Sequence, residues 1–204
     1  MTLSLPRGLT DTLLWSEELG RGFHTRPAMR YEGQYFAHYQ KLDATPMGGL
    51  LTKARLELVE KYVQPNQTLD IGIGGGRYVQ ESGGYGFDVC DDAIRWLHDH
   101  KLFRDIEFTW PYVTCWDSLE HVPDPEHMLS KITDWLFVSM PIYNDMADVL
   151  QSKHYKPGEH LHYWTLPGFV NWCEAQGFEL QEANHAESEL GREGITSFAF
   201  KRVS

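Results

Sequence analysis

Between residues 70 and 76 the chain reads Asp-Ile-Gly-Ile-Gly-Gly-Gly, an acid followed by glycines at alternate positions, Gly72, Gly74 and Gly76. Glycines that follow a strand let the backbone approach a ligand closely, since no Cβ stands between them. The dinucleotide spacing G-x-G-x-x-G fails, because counting from Gly72 its last glycine falls on Arg77. A pyrophosphate wants helix-N-terminal amides, whereas the carboxylate of Asp70 suits a ligand with an ammonium end. Alone, such a stretch is equally a flexible turn; the preceding strand and acid make it a ligand cradle. Asp88, followed by Val89, ends the next strand-like stretch, where an acid either accepts from ribose hydroxyls or caps a helix. Further on, Glu120 and His121 offer a carboxylate and an imidazole. His121 is the first choice of general base for an acceptor that must lose a proton, with a structural hydrogen bond across its turn as the alternative. Glu120 and His160 complete the candidate catalytic set. Neighbours on an extended chain point opposite ways, so Glu120 and His121 are not expected to work as a pair.

His154, Glu159, His160 and His162 are residue types that bind zinc or another transition metal. A lone H-x-H without a fourth ligand at a characteristic spacing reads better as packing and loop hydrogen bonding, so no metal site is expected. Cys90, Cys115 and Cys173 are odd in number and far apart, which fits free buried thiols and neither a disulfide framework nor a zinc site.

The elements that must position these groups alternate. Thr45-Pro46 supplies a cap and first-turn proline, and Leu51, Ala54, Leu58 and Tyr62 continue at helical spacing for about four turns. Pro65-Asn66-Gln67 breaks that helix, and residues 68–71 read as a short buried strand. A short helix over 77–81, a strand over 85–89 and a helix capped by Asp91 or Asp92 follow. Residues 101–110 are poorly patterned, so any strand there is short or absent. Residues 112–116 and 135–140 read as strands, the second stopped by Pro141, with a helix from Asp124-Pro125 between them. Thr165 caps a helix that Gly177 ends. Two last strands, 178–183 and 195–201, have no helix between them and should pair antiparallel at one edge. The pattern predicts an α/β fold with a mostly parallel, Rossmann-like doubly wound sheet over residues 48–204. Residues 1–47 hold Trp15, Phe23, Tyr31, Tyr35, Phe36 and Tyr39 without a clean period, and read as an arm or lid packed on that domain.

The 204 residues carry 42% hydrophobic and 23% charged side chains, enough for one packed domain rather than a disordered chain. No apolar run would span a bilayer, and the start lacks a signal-like core, so a cytoplasmic protein is expected. The net charge of −11, with 18 scattered Lys and Arg, opposes duplex nucleic acid as a tight partner and leaves a small molecule as the expected one. The sequence leaves the oligomeric state open.

The run Asp70-x-Gly72-x-Gly74-x-Gly76 resembles the first motif of class I S-adenosylmethionine-dependent methyltransferases. Trp116-Asp117-Ser118-Leu119-Glu120-His121-Val122-Pro123-Asp124-Pro125 is similar to the segment after the fourth strand in small-molecule and quinone-type members. His160-Leu161-His162-Tyr163-Trp164-Thr165 resembles their late segment. The likeness covers about residues 48–202 and extends to methyltransferase-domain proteins of bacteria and phages. It implies a class I methyltransferase fold, with S-adenosylmethionine held by Asp70, Gly72, Gly74, Gly76, Asp88, Val89, Trp116, Asp117 and Ser118. It also implies methyl transfer to a small-molecule or metabolite acceptor. By position, the loop from Tyr143 to Tyr163 and arm aromatics such as Tyr35 and Tyr39 are expected to flank the acceptor, with a surface loop that only covers the sheet edge as the alternative. A repurposed S-adenosylmethionine-binding module and a nucleotide- or nucleic-acid-modifying enzyme are the alternatives. Trp116 or Tyr143 could face the sulfonium by cation–π attraction.

Overall fold

A computed structural model describes residues 13–24 and 34–203. Strands β1 (Leu13–Ser16) and β2 (Arg21–His24) come first, then helices α1 (Tyr35–Asp43) and α2 (Pro46–Glu60). Thr45 accepts from the Gly48 amide at 3.1 Å, so the expected cap forms, with Pro46 in the first turn. A 3-10 turn at Pro65–Gln67 leads to β3 (Leu69–Ile71), α3 (Arg77–Ser82), β4 (Tyr85–Phe87) and α4 (Asp91–Asp99). Next come β5 (Trp110–Trp116), a 3-10 turn at Leu119–His121, α5 (Pro125–Ser130), β6 (Ile132–Pro141) and α6 (Met146–Gln151). The chain ends on β7 (His162–Trp164), α7 (Leu166–Ala175), β8 (Phe178–Asn184), α8 (Ala186–Glu189) and β9 (Ile195–Arg202).

Six strands form the main sheet in the order β4-β3-β5-β6-β9-β8. The first four run parallel, and β9 is antiparallel to both β6 and β8. The antiparallel edge thus forms as expected, with β9 inserted beside β6. Along β6 alternate side chains go to opposite faces. Leu136, Val138 and Met140 pack with Met128 and Leu129 of α5 and Phe169 and Trp172 of α7. Trp135 and Phe137 pack with Leu58 and Val59 of α2. Both faces are therefore helix-covered, as a doubly wound sheet requires. Between residues 101 and 109 the pairing with the sheet is one isolated bridge, Phe103 to Gly86, made by the Leu102 carbonyl and the Arg104 amide, so the poor patterning there marks a strand reduced to a single bridge.

Two local expectations change. Cys90, not Asp91 or Asp92, is the N-cap of α4, and both aspartates lie in its first turn. Residues 162–164 are a strand rather than a loop, because β2 pairs with them across more than 130 residues, Phe23 opposite His162. The early segment is also partly built into the fold: β1, β2 and β7 make a second, three-stranded antiparallel sheet, while α1 packs Phe36 beside Ile73 and Trp96. Tyr31 lies outside the described residues.

Candidate active site

Parallel strands deliver their carboxyl ends to one edge of the sheet, where open α/β folds bind ligands. Here a cavity of about 730 Å³ opens over that edge. Its floor is the loop after β3. Gly72 has φ +78°, and a Cβ there would stand 2.6 Å from Ser118 Cβ. Gly74 has φ +57° and would meet only the Tyr39 ring, at 3.7 Å. Gly72 is thus needed for the crossing with β5, while Gly74 turns open backbone to the cavity. Gly76 does not line it; a side chain there would strike the Trp96 ring at 2.8 Å, so this glycine lets α4 pack close.

Asp70 lines the cavity from β3 and is buried, with the Thr114 hydroxyl donating to it at 2.6 Å. Burial pushes its pKa up to about 7, with Asp88 and Asp43 adding to the rise and Thr114 and Arg55 opposing it. Asp88 accepts from three backbone amides: Ile73 at 2.9 Å, and Val89 and Cys90 at 2.8 Å each. Burial raises its pKa against those three bonds. The carboxylate straps the glycine loop to the end of β4, and of its roughly four lone-pair sites one remains for a ligand hydroxyl. Val89 lines the same end and is 65% exposed, an apolar wall open to a flat ring. This end of the cavity thus offers carboxylates, bare backbone and an apolar wall, groups that could hold an adenosyl moiety.

The segment after β5 is held by an ion network that sequence reasoning missed. Asp117, at φ +54°, accepts from Arg192 at 2.6 and 2.9 Å and from Arg55 at 2.9 Å. Glu187, 1% exposed, binds the same two guanidiniums at 2.5–3.1 Å. The two arginines hold Asp117 below the usual carboxylate range despite its burial. Arg55 also lies 5.4 Å from the Trp116 ring, so the cation facing that ring belongs to the chain itself. Ser118 donates to the Ile71 carbonyl at 2.5 Å, fixing the turn against the glycine loop.

Glu120 and His121 sit in the 3-10 turn. The turn is not extended, so the two side chains converge, contrary to expectation: His121 Nε2 is 3.8 Å from Glu120 Oε1. The Leu161 amide donates to the Glu120 carbonyl at 2.8 Å, which brings His160 across, its ring 4.7 Å from that of His121. All three line the cavity. Burial pushes His160 down to about 2 and lowers His121, both neutral imidazoles at neutral pH. Burial, with the nearby Asp117, pushes Glu120 well up.

The long loop contributes less than its composition suggested. His154 and His160 line the cavity, and so do Lys156 and Glu159. Tyr143 and Tyr163 are buried in a side cluster with Leu13 and Val149. His162 is a strap: its ring bonds the Val122 carbonyl at 2.9 Å and Arg21 at 3.4 Å. Tyr35 and Tyr39 of α1 also line the cavity. All three cysteines are buried and free. Among the described residues no helix is long and apolar enough to cross a membrane.

Residues 35–183 match the family model described as a methyltransferase domain. No curated protein matches the chain by sequence. Among solved structures, the chain resembles an S-adenosylmethionine-dependent methyltransferase from Aquifex aeolicus, at 12% identity over 85% of this chain and 100% of that one, TM-score 0.60. It resembles magnesium protoporphyrin IX methyltransferase from Synechocystis with bound S-adenosylhomocysteine, at 13% identity over 86% and 90%, TM-score 0.55. A cyclase, SpnF, shares the fold at 11% identity over 87% and 99%, TM-score 0.55. The glycine loop, the acid-ended strands and the match over most of its length place the chain in the methyltransferase-domain family, as a class I methyltransferase whose methyl donor is S-adenosylmethionine.

Proposed function

We propose that the enzyme methylates a small polar molecule, with donor and acceptor sharing one cavity. The observation that carries this is the cavity's division. Its Asp70, Gly72, Gly74, Asp88 and Val89 end suits the donor, and its Glu120, His121, Lys156 and His160 end offers polar contacts to an acceptor. About 730 Å³ falls within the roughly 300–1,000 Å³ of small-molecule sites. The net charge of −11 disfavours a polyanionic acceptor.

S-adenosylmethionine supplies an electrophilic methyl on a sulfonium, so the protein's main task is to align two reactants, worth about 7–11 kcal/mol. Asp70 offers a carboxylate for the donor's ammonium and Asp88 for a ribose hydroxyl. Ser118 and the Asp117 network hold the turn that separates donor from acceptor. Tyr35 and Tyr39 on one side and His154 and Lys156 on the other exclude water and select the acceptor. If the acceptor must lose a proton, the Glu120–His121–His160 group is where it is handled.

Incubating the enzyme with methyl-labelled S-adenosylmethionine and a cell extract, then separating small molecules from polymers, tests this. Label should appear in the small-molecule fraction. Enzyme-dependent label on RNA, DNA or protein alone would establish a macromolecular acceptor instead.

A further inference from the structure

A carboxylate buried without a bonding partner is costly, and a proton alone does not relieve it, since the new O–H also needs an acceptor. Glu120 is 2% exposed, and neither of its side-chain oxygens has a hydrogen-bond partner among the described residues. Facing it are the imidazoles of His121 and His160, ring centroids 4.7 Å apart, each with a ring nitrogen that can serve as a ligand atom. One donor atom from each of Glu120, His121 and His160 lies within 4.8 Å of the others. Ligands about 2.0–2.2 Å from one zinc-like ion stand roughly 3–3.5 Å apart, so small side-chain rotations close the gap.

The surroundings are built to hold such a set. The Leu161–Glu120 backbone bond fixes the two segments that supply it. His121 is also tied to the Glu159 backbone, the kind of outer contact that orients a ligating imidazole. The set differs from the one weighed in the sequence: His154 is bonded to the Glu193 carbonyl at 3.0 Å and His162 to that of Val122. Spacing could not reveal it, because His160 lies 39 positions after His121.

We propose that Glu120, His121 and His160 bind one divalent transition-metal cation of the zinc class, with its remaining coordination positions open to the cavity. Two imidazoles and one carboxylate favour such ions over magnesium or calcium, which prefer all-oxygen sets. The cation lies at the end assigned to the acceptor, where it serves as a Lewis acid toward an oxygen or nitrogen of that molecule. That role rests on the proposed function; the binding site does not.

The experiment is to strip the protein with a chelator, reload it with zinc or magnesium, and measure bound metal by mass spectrometry and titration calorimetry. S-adenosylmethionine affinity is measured on the same samples, so that failure of the donor site is told apart from failure of the metal site. The expected result is one zinc per chain, far weaker magnesium binding, and a loss of zinc affinity beyond about 100-fold in Glu120→Gln and His160→Ala, larger than outer contacts give. Because a variant could fail to fold, cobalt is also loaded into the unaltered protein, whose visible spectrum should report nitrogen and oxygen ligands. Absence of bound zinc and of a cobalt spectrum in the unaltered protein, or full zinc binding by both folded variants, would overturn the proposal.

Discussion

Asp88 carries two jobs at once, and replacing it separates them. In Asp88→Ala the Ile73, Val89 and Cys90 amides lose their acceptor. The Ile73 and Cys90 bonds are buried, and each orphaned donor costs about 1–3 kcal/mol. Val89 is exposed enough for water to replace its bond. Removing a carboxylate that resists burial returns part of the loss, which leaves a net destabilisation of about 3 kcal/mol. For a chain of this size that lowers the melting temperature by roughly 6–12 °C. S-adenosylmethionine affinity should fall on the order of 10–100-fold, since the loop loses its strap and the ligand an acceptor. Asp88→Asn keeps an oxygen for Val89 and Cys90 but turns an amide NH₂ toward Ile73, so it should recover part of the stability and little of the affinity. Thermal melts and calorimetric titrations of both variants check this. An Asp88→Ala protein that melts with the parent removes the strap argument, and unchanged affinity removes Asp88 from the donor site.

Asp70→Asn should be more stable than the parent at pH 8, with the gap less than half as large at pH 5 and closing only below about pH 3.8. A folded pKa of about 7 against 3.8 when unfolded means that Asp70's contribution is complete below pH 3.8 and is lost as pH rises through 7, by about 4 kcal/mol. The groups setting this are Thr114 and Arg55 on one side and Asp88, Asp43 and the nearby Tyr78 on the other; parallel melting curves across that range would show that Asp70 does not titrate there. Arg192→Met removes three bonds to Asp117 and Glu187. It should cost about 3 kcal/mol, the low end for breaking a buried ion pair because Arg55 still binds both carboxylates; a melting temperature within 2 °C of the parent, or about 1 kcal/mol, would refute the network's role. Gly72→Ala should weaken donor binding and stability together, because its Cβ would meet Ser118 at 2.6 Å with φ at +78°; unchanged melts and affinity would contradict the tight crossing.

What the sequence made legible was local. The glycine loop announces itself because only glycine adopts φ between +57° and +90° at three alternate positions without strain. Thr45 and Asp124, each just before a proline, and Thr165, two residues before one, cap a helix in place, accepting from amides at 3.0–3.1 Å. The pairing of β2 with β7 was not legible, since strands of four and three residues carry little period and lie more than 130 residues apart. Arg55, Asp117, Glu187 and Arg192 were missed as a unit for the same reason: long-range ion pairs leave no mark in spacing. The Glu120–His121 pair was misjudged because its geometry depends on a 3-10 turn in place of extended chain. His162, two residues after His160, does not line the cavity, because its ring is tied to the Val122 carbonyl and to Arg21.

The most direct test of the account is a crystal structure of the protein with S-adenosylhomocysteine. The adenosyl group should lie against Asp88 and Val89, the amino-acid end over Gly72 and Gly74 toward Asp70, and the sulfur should face the Glu120–His121–His160 end of the cavity. A ligand seated elsewhere, or one whose sulfur points away from that cluster, would contradict the division of the cavity into donor and acceptor halves.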